Sequence, residues 1–212
     1  MDISPREAIH TKKIVFITGA GISTNAGVND FRITSSTKLS SQNVFDISAL
    51  SSANSTTWFY DLPTAFHHFM DELAQSGRLQ RYYTQNIDCF DARLSWLSQK
   101  TVQLHGRLDT LICQLCQDTK KVGLEEFERV VASSCYKCET TSEDQVRRGK
   151  GALGSDIAAS FEQDLSGPVD AVIIAGIRLQ VSTARKFLKH LCKTVKSRNG
   201  INVVDREASH PT

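Results

Sequence analysis

Hydrophobic positions along the chain fall into two kinds of block. Ile14-Val15-Phe16-Ile17, Arg81-Tyr82-Tyr83-Thr84, residues 102–104, residues 169–175 and Ile201-Asn202-Val203-Val204 are short runs rich in β-branched and aromatic residues. Such runs suit strands buried on both faces of a parallel sheet. Two longer stretches repeat apolar residues at helical spacing. In 62–76 these are Leu62, Ala65, Phe66, Phe69, Met70 and Leu73, with Pro63 near the start and Gly77 placed just past the end. In 182–196 they are Ala184, Phe187, Leu188, Leu191, Cys192 and Val195. Arg185, Lys186, Lys189, Lys193 and Lys196 fill the rest of that second helix and read as a solvated face. Strands and helices alternate, and no repeat is visible. The pattern predicts an α/β fold, a doubly wound parallel sheet.

The polar residues that follow the strands carry the candidate chemistry. The first strand runs into Thr18-Gly19-Ala20-Gly21, where two glycines permit a tight turn and close approach of backbone N–H groups to a ligand. Residues 22–26 are expected to open a helix facing the same point, which would make an anion site suited to a pyrophosphate. The next glycine is Gly27, and no acid closes a strand about 20 residues on, so an ordinary dinucleotide fingerprint is not present. The second strand ends in Gln85-Asn86-Ile87-Asp88 and the third in His105-Gly106. Ligands of open α/β sheets gather at those carboxyl ends. Residues 34–57 are half serine and threonine, 12 of 24, which fits either a linker or a flap over a bound cofactor. Residues 149–154 spell G-x-G-x-x-G but follow a polar run, not a strand, so they read as a connection. Of His67 and His68, one is expected at the core edge and the other in solvent.

Composition narrows the class. A 40% hydrophobic and 23% charged chain of 212 residues is ordinary for a globular protein, and a net charge of +2 lacks the footprint of direct nucleic-acid binding. No apolar run reaches the length of a membrane span, and residues 1–13 lack the apolar core of a secretory signal. The Asn54-Ser55-Thr56 acceptor is therefore set aside. Four of the six cysteines form two C-x-x-C pairs, Cys113 with Cys116 and Cys135 with Cys138, separated by 18 residues. That spacing predicts one tetrahedral thiolate Zn2+ site, structural because four protein ligands leave no open position. It also places the chain in a reducing compartment, with Cys89 and Cys192 as free core thiols.

Together, GAGIS with Asp30-Phe31-Arg32, Thr84-Gln85-Asn86-Ile87-Asp88, His105-Gly106 and the two cysteine pairs resemble the sirtuin family of NAD-dependent protein deacetylases. The likeness is dense over 14–32 and 82–138, and closest to the fungal, nuclear, histone-directed branch. It implies a Rossmann-like NAD-binding domain from 1–106 and 150–212, with a small zinc-binding module at 107–149. Gly19, Ala20 and Gly21 would cradle the NAD pyrophosphate with Ser23 beside them. Asp30, Phe31 and Arg32 would begin a mobile cofactor loop. Asn86, Ile87 and Asp88 would hold the nicotinamide carboxamide, and Gln85 would face the ribose. Gly176 and Asp205 would meet the far end of the cofactor, and His105 would be the general base. The implied reaction transfers acetyl from a lysine of an acetylated protein, a histone in that branch, to ADP-ribose, releasing nicotinamide and O-acetyl-ADP-ribose. The implied location is nuclear, with cytoplasmic second.

Several positions depart from the family pattern. Asn29 replaces a proline, Cys89 a glycine, Ile177-Arg178 a Thr-Ser pair, and Asp205 an asparagine. Residues 156–162 only approximate the family's peptide-binding strand. These departures keep two alternatives open: a zinc-stabilised binding or scaffold protein, and a mono-ADP-ribosyltransferase.

Overall fold

In the computed structural model the described residues are 13–26, 62–107, 109–113, 115–121, 137, 146–148, 154–177 and 182–204. Five strands form a parallel sheet: β1 (Ile14–Thr18), β2 (Leu79–Thr84), β3 (Thr101–Gln103), β7 (Ala171–Ala175) and β8 (Ile201–Val204). Their order is β3-β2-β1-β7-β8, the open doubly wound arrangement the sequence predicts. β1 sits in the middle, paired in parallel with β2 through Phe16–Tyr82 and with β7 through Phe16–Ile173.

The period-2 alternation of β1 explains its position. Ile14 and Phe16 point to one face of the sheet, into a cluster with Met70, Leu73, Leu79 and Tyr82. Val15 and Ile17 point to the other, with Tyr83, Val172, Leu188 and Leu191. A strand apolar on both faces can only sit where both are covered. Helix α1 (Ala65–Gln75) lies on the first face and helix α3 (Ser182–Ser197) on the second.

α1 begins at Ala65 because Thr64 caps it reciprocally with His67, whose Nδ1 accepts the Thr64 backbone N–H at 3.3 Å. Its end is set by Gly77 at φ +71, a left-handed conformation that glycine adopts without penalty. His67 is buried and His68 exposed, as expected. Burial, with a smaller push from His68, lowers the His67 pKa to about 4. The fold therefore excludes a proton that the unfolded chain takes up near pH 6.5. That contribution is intact above pH 6.5 and is lost as pH falls toward 4, about 2 kcal/mol by pH 5. Urea midpoints at pH 7 and pH 5 should differ more for the wild type than for His67→Gln, and equal differences would remove His67 as the source.

Three expectations are corrected. Residues 22–26 are not an α-helix: Ala20–Ile22 and Thr24–Ala26 are single 3-10 turns. Thr24 bonds the Gly21 carbonyl through its hydroxyl at 3.0 Å, the local competition by which Ser, Thr and Asn weaken helices. The segment read as an approximate peptide-binding strand lies instead within helix α2 (Gly154–Ser166). There Ile157, Phe161 and Leu165 recur every four residues, and Phe161 and Leu165 pack on the second core cluster. The buried Asp164 of α2 accepts from the Tyr83 hydroxyl and from Arg81 Nε at 3.2 Å, tying the helix to β2. Finally, the polar run before 149 contains strand β6 (Val146–Arg148). It joins β4 (Thr110–Cys113) and β5 (Thr119–Lys121) in a separate antiparallel sheet of order β5-β4-β6. The Ser/Thr-rich segment 34–57 lies outside the described residues.

Candidate functional site

The chain steps outward from β1 to β2 and β3, then crosses to β7 on the other side of β1. The carboxyl edge at that reversal is where open α/β sheets form a ligand crevice. Gly19 follows β1, Gln85 to Asp88 follow β2, His105 follows β3 and Gly176 follows β7, so all lie along this one edge.

Glycine is required here by close approach. A Cβ on Gly21 would come within 2.7 Å of the Gly176 Cα, and one on Gly19 within 2.9 Å of the Gly176 carbonyl. Gly176 itself has φ +60. The turn's amides are already engaged: Gly21 N–H donates to the Gly176 carbonyl at 3.0 Å and Ser23 N–H to the Ala20 carbonyl at 3.0 Å. Beside this turn is a cavity of about 640 Å³ lined by Gly21, Ile22, Asn25, Thr64, Phe66 and Gly176. Its size suits part of a nucleotide. Asn86 and His105 do not line it.

A buried hydrogen-bond chain joins the glycine turn to the end of β2. Asn86 Nδ2 donates to Ser23 Oγ at 3.0 Å, and Ser23 Oγ donates to Asp88 Oδ2 at 2.7 Å. Asp88 Oδ1 accepts the Phe90 N–H at 3.3 Å. Burial raises the Asp88 pKa, and the Ser23 and Phe90 donors oppose it. Ile87 is buried behind this chain. Among the described residues, the Gln85 Nε2 is buried without a hydrogen-bond partner. An orphaned donor at a ligand edge fits an oxygen-rich ligand such as a ribose.

His105 is half-buried one strand over, held by Leu104 N–H donating to the Thr84 carbonyl at 2.8 Å. Burial lowers its pKa, opposed by a backbone interaction at Leu104, so its imidazole is neutral at physiological pH. Sequence reasoning missed the groups that fix its backbone. Asp91 accepts from Gln103 Nε2 at 2.9 Å and from Arg107 Nη1 at 3.3 Å, and so ties down the residues two before and two after His105. Arg107 also makes a two-pronged pair with Asp109, both bonds 2.8 Å. The only sequence signal was the polar spacing around His105, because Asp91 lies 12 residues from its nearer partner.

Cys89, where the family pattern has glycine, adopts φ 60 and ψ 21, the left-handed region. A side chain there costs roughly 1–2 kcal/mol. Cys89→Gly is therefore expected to be more stable than Cys89→Ala by about 1 kcal/mol, although alanine keeps more of the buried side chain. Urea midpoints check the order, and alanine ranking above glycine would refute the strain.

Cys113 closes β4, and the chain doubles back so that Gln117 N–H meets the Cys113 carbonyl at 2.9 Å, with Gln117 at φ 58. This tight turn holds Cys113 and Cys116 at one tip of the small sheet. Among the described residues no group of three or more potential ligands is assembled. Cys135 and Cys138 lie outside the described residues, as do Asp30, Phe31, Arg32 and Asp205.

Comparison with known proteins identifies the family. The Sir2 family profile matches residues 19–183. The NAD-dependent protein deacetylase hst4 of Schizosaccharomyces pombe is 30% identical over 267 residues, covering 100% of this chain and 64% of the relative. The NAD-dependent histone deacetylase HST4 of Saccharomyces cerevisiae is 28% identical over 247 residues, covering 91% and 66%. The chain thus spans less than two thirds of the length of these curated relatives. A crystal structure of a Sir2 homolog–NAD complex superposes with a TM-score of 0.70 at 22% identity, covering 96% of this chain and 81% of that one. The chain belongs to the Sir2 family.

Proposed function

We propose that the chain is an NAD-dependent protein-lysine deacetylase acting on acetylated histone in the nucleus. The observation that supports this reading is the buried Asn86–Ser23–Asp88 chain beside the glycine turn, with His105 following the next strand of the same sheet. The cavity beside Gly21 and the orphaned Gln85 Nε2 fit part of a dinucleotide. Bound NAD would supply an electrophilic ribose carbon with nicotinamide as leaving group. Gln85 would donate to a ribose oxygen, and Asn86 would present its amide to the carboxamide. His105, kept neutral by burial, would take a proton from a ribose hydroxyl. Asp91, through Gln103 and Arg107, would hold the His105 backbone in place for that transfer. The substrate class follows the relatives' names, and the nuclear location follows from histone as the substrate.

Cys113 and Cys116, with Cys135 and Cys138, would hold one Zn2+ that stabilises the residue 107–149 module. The fit rests on the tight turn joining the first pair.

A second reading, a family member that binds partners without turnover, draws on two observations. The Gly176 carbonyl occupies the Gly21 amide, and residues 156–162 are helical. Titration calorimetry with NAD and nicotinamide release with and without an acetyl-lysine peptide separate the two. Peptide-dependent release supports the enzyme, and absence of both NAD binding and release supports the scaffold.

A further inference from the structure

The charge of this chain is unevenly placed. Six of its 25 Lys and Arg residues lie within 185–198, a stretch with no Asp or Glu, which leaves 19 cations against 23 acids elsewhere. A net charge of +2 for the whole therefore conceals a strongly basic helix on a body of net charge −4.

α3 buries Leu188, Leu191 and Val195 against the sheet. Lys186, Lys189, Lys193 and Lys196 are all exposed on the opposite side. At 3.6 residues per turn they fall within an arc of about 80° and form one row about 15 Å long. Successive lysines are three or four residues apart, where like charges meet and oppose helix formation. Among the described residues, none of the four lysines has a hydrogen-bond or ion-pair partner. Arg198, by contrast, is engaged in capping α2 through the carbonyls of Gly167 and Leu165. The row is an arrangement that weakens the isolated helix and becomes favourable only against a linear polyanion.

We propose that this face of α3 is a docking surface for the phosphate backbone of double-stranded DNA. Duplex DNA carries one phosphate per about 1.7 Å of axis with both strands counted, so a length of about 15 Å presents about nine phosphates, more than one for each of the four lysines. An anionic membrane is a poorer partner, because the apolar residues of α3 that would enter it are packed in the core. Lysine contacts phosphate as a point charge and reads no bases, so binding is sequence-independent and steeply salt-dependent. The proposal does not rest on the enzyme reading.

The test is fluorescence anisotropy of a labelled 20-bp duplex with the full chain between 50 and 200 mM salt. The wild type should bind with a log–log salt slope near −3.6, that is about −0.9 for each of four phosphates. The variant K186Q/K189Q/K193Q/K196Q should lose at least tenfold in affinity at 50 mM salt and most of the slope. Replacing the same four lysines by arginine should preserve both. Should the quadruple glutamine variant fail to fold, K189Q/K193Q reads the same effect as a slope reduced by about 1.8. Wild-type binding by the glutamine variants would overturn the proposal. So would tighter binding of polyglutamate, or of phosphatidylserine vesicles, than of the duplex.

Discussion

Replacing His105 by alanine is expected to lower acetyl-peptide-dependent nicotinamide release and product formation by about 10²–10⁴-fold, the range for loss of a positioned general base. NAD binding measured by calorimetry should change little, because among the described residues the Asn86–Ser23–Asp88 chain and the glycine turn make no hydrogen bond to the imidazole. The pH profile gives a second readout. A base must be neutral, so wild-type activity should fall on the acid side as His105 protonates, and burial places that limb below the ordinary value of 6.5. His105→Ala should lack the limb. Acid unfolding through His67 is separable, since it appears in the melting temperature at the same pH. Equal turnover by wild type and variant would remove His105 as the base.

Removing zinc is expected to have the largest effect on stability. Structural zinc contributes on the order of 10 kcal/mol of apparent folding free energy in small metal-dependent modules. The sheet β5-β4-β6 has three strands of only three or four residues each, and β5 is fully exposed. Such a sheet has little else to hold it. Cys113→Ser should reduce zinc per chain, by elemental analysis, from one to near zero. It should also remove amide-exchange protection from 110–121 while β1, β2 and β7 remain protected. Full metal content and unchanged protection would contradict the thiolate site.

The sheet was legible because its strands are apolar on both faces and end in distinctive polar residues; Ile14–Ile17 and 201–204 needed no tertiary information. Helix α2 was not legible. Its apolar positions are few, and its buried charge, Asp164, reveals itself only when Arg81 and Tyr83 arrive from β2. The 3-10 turns after Gly19 were misread as a helix because glycine turns in such folds usually lead into one, while Ser23, Thr24 and Asn25 favour local bonds. At the site, residues adjacent in sequence were found readily. Asp91 was not, since its role depends on partners that only folding brings together.

The central place of β1 has a kinetic consequence. The Lys13 N–H bonds the Asp170 carboxylate across 157 residues of chain, and β1 pairs with β7 just beyond. Closing so large a loop precedes any gain from those contacts, which makes folding slow. On a ribosome the N-terminal run Ile-Val-Phe-Ile must wait, with one edge unpaired, until β7 has emerged. During that interval the nascent chain is open to aggregation, and it is the stage at which a chaperone would matter most.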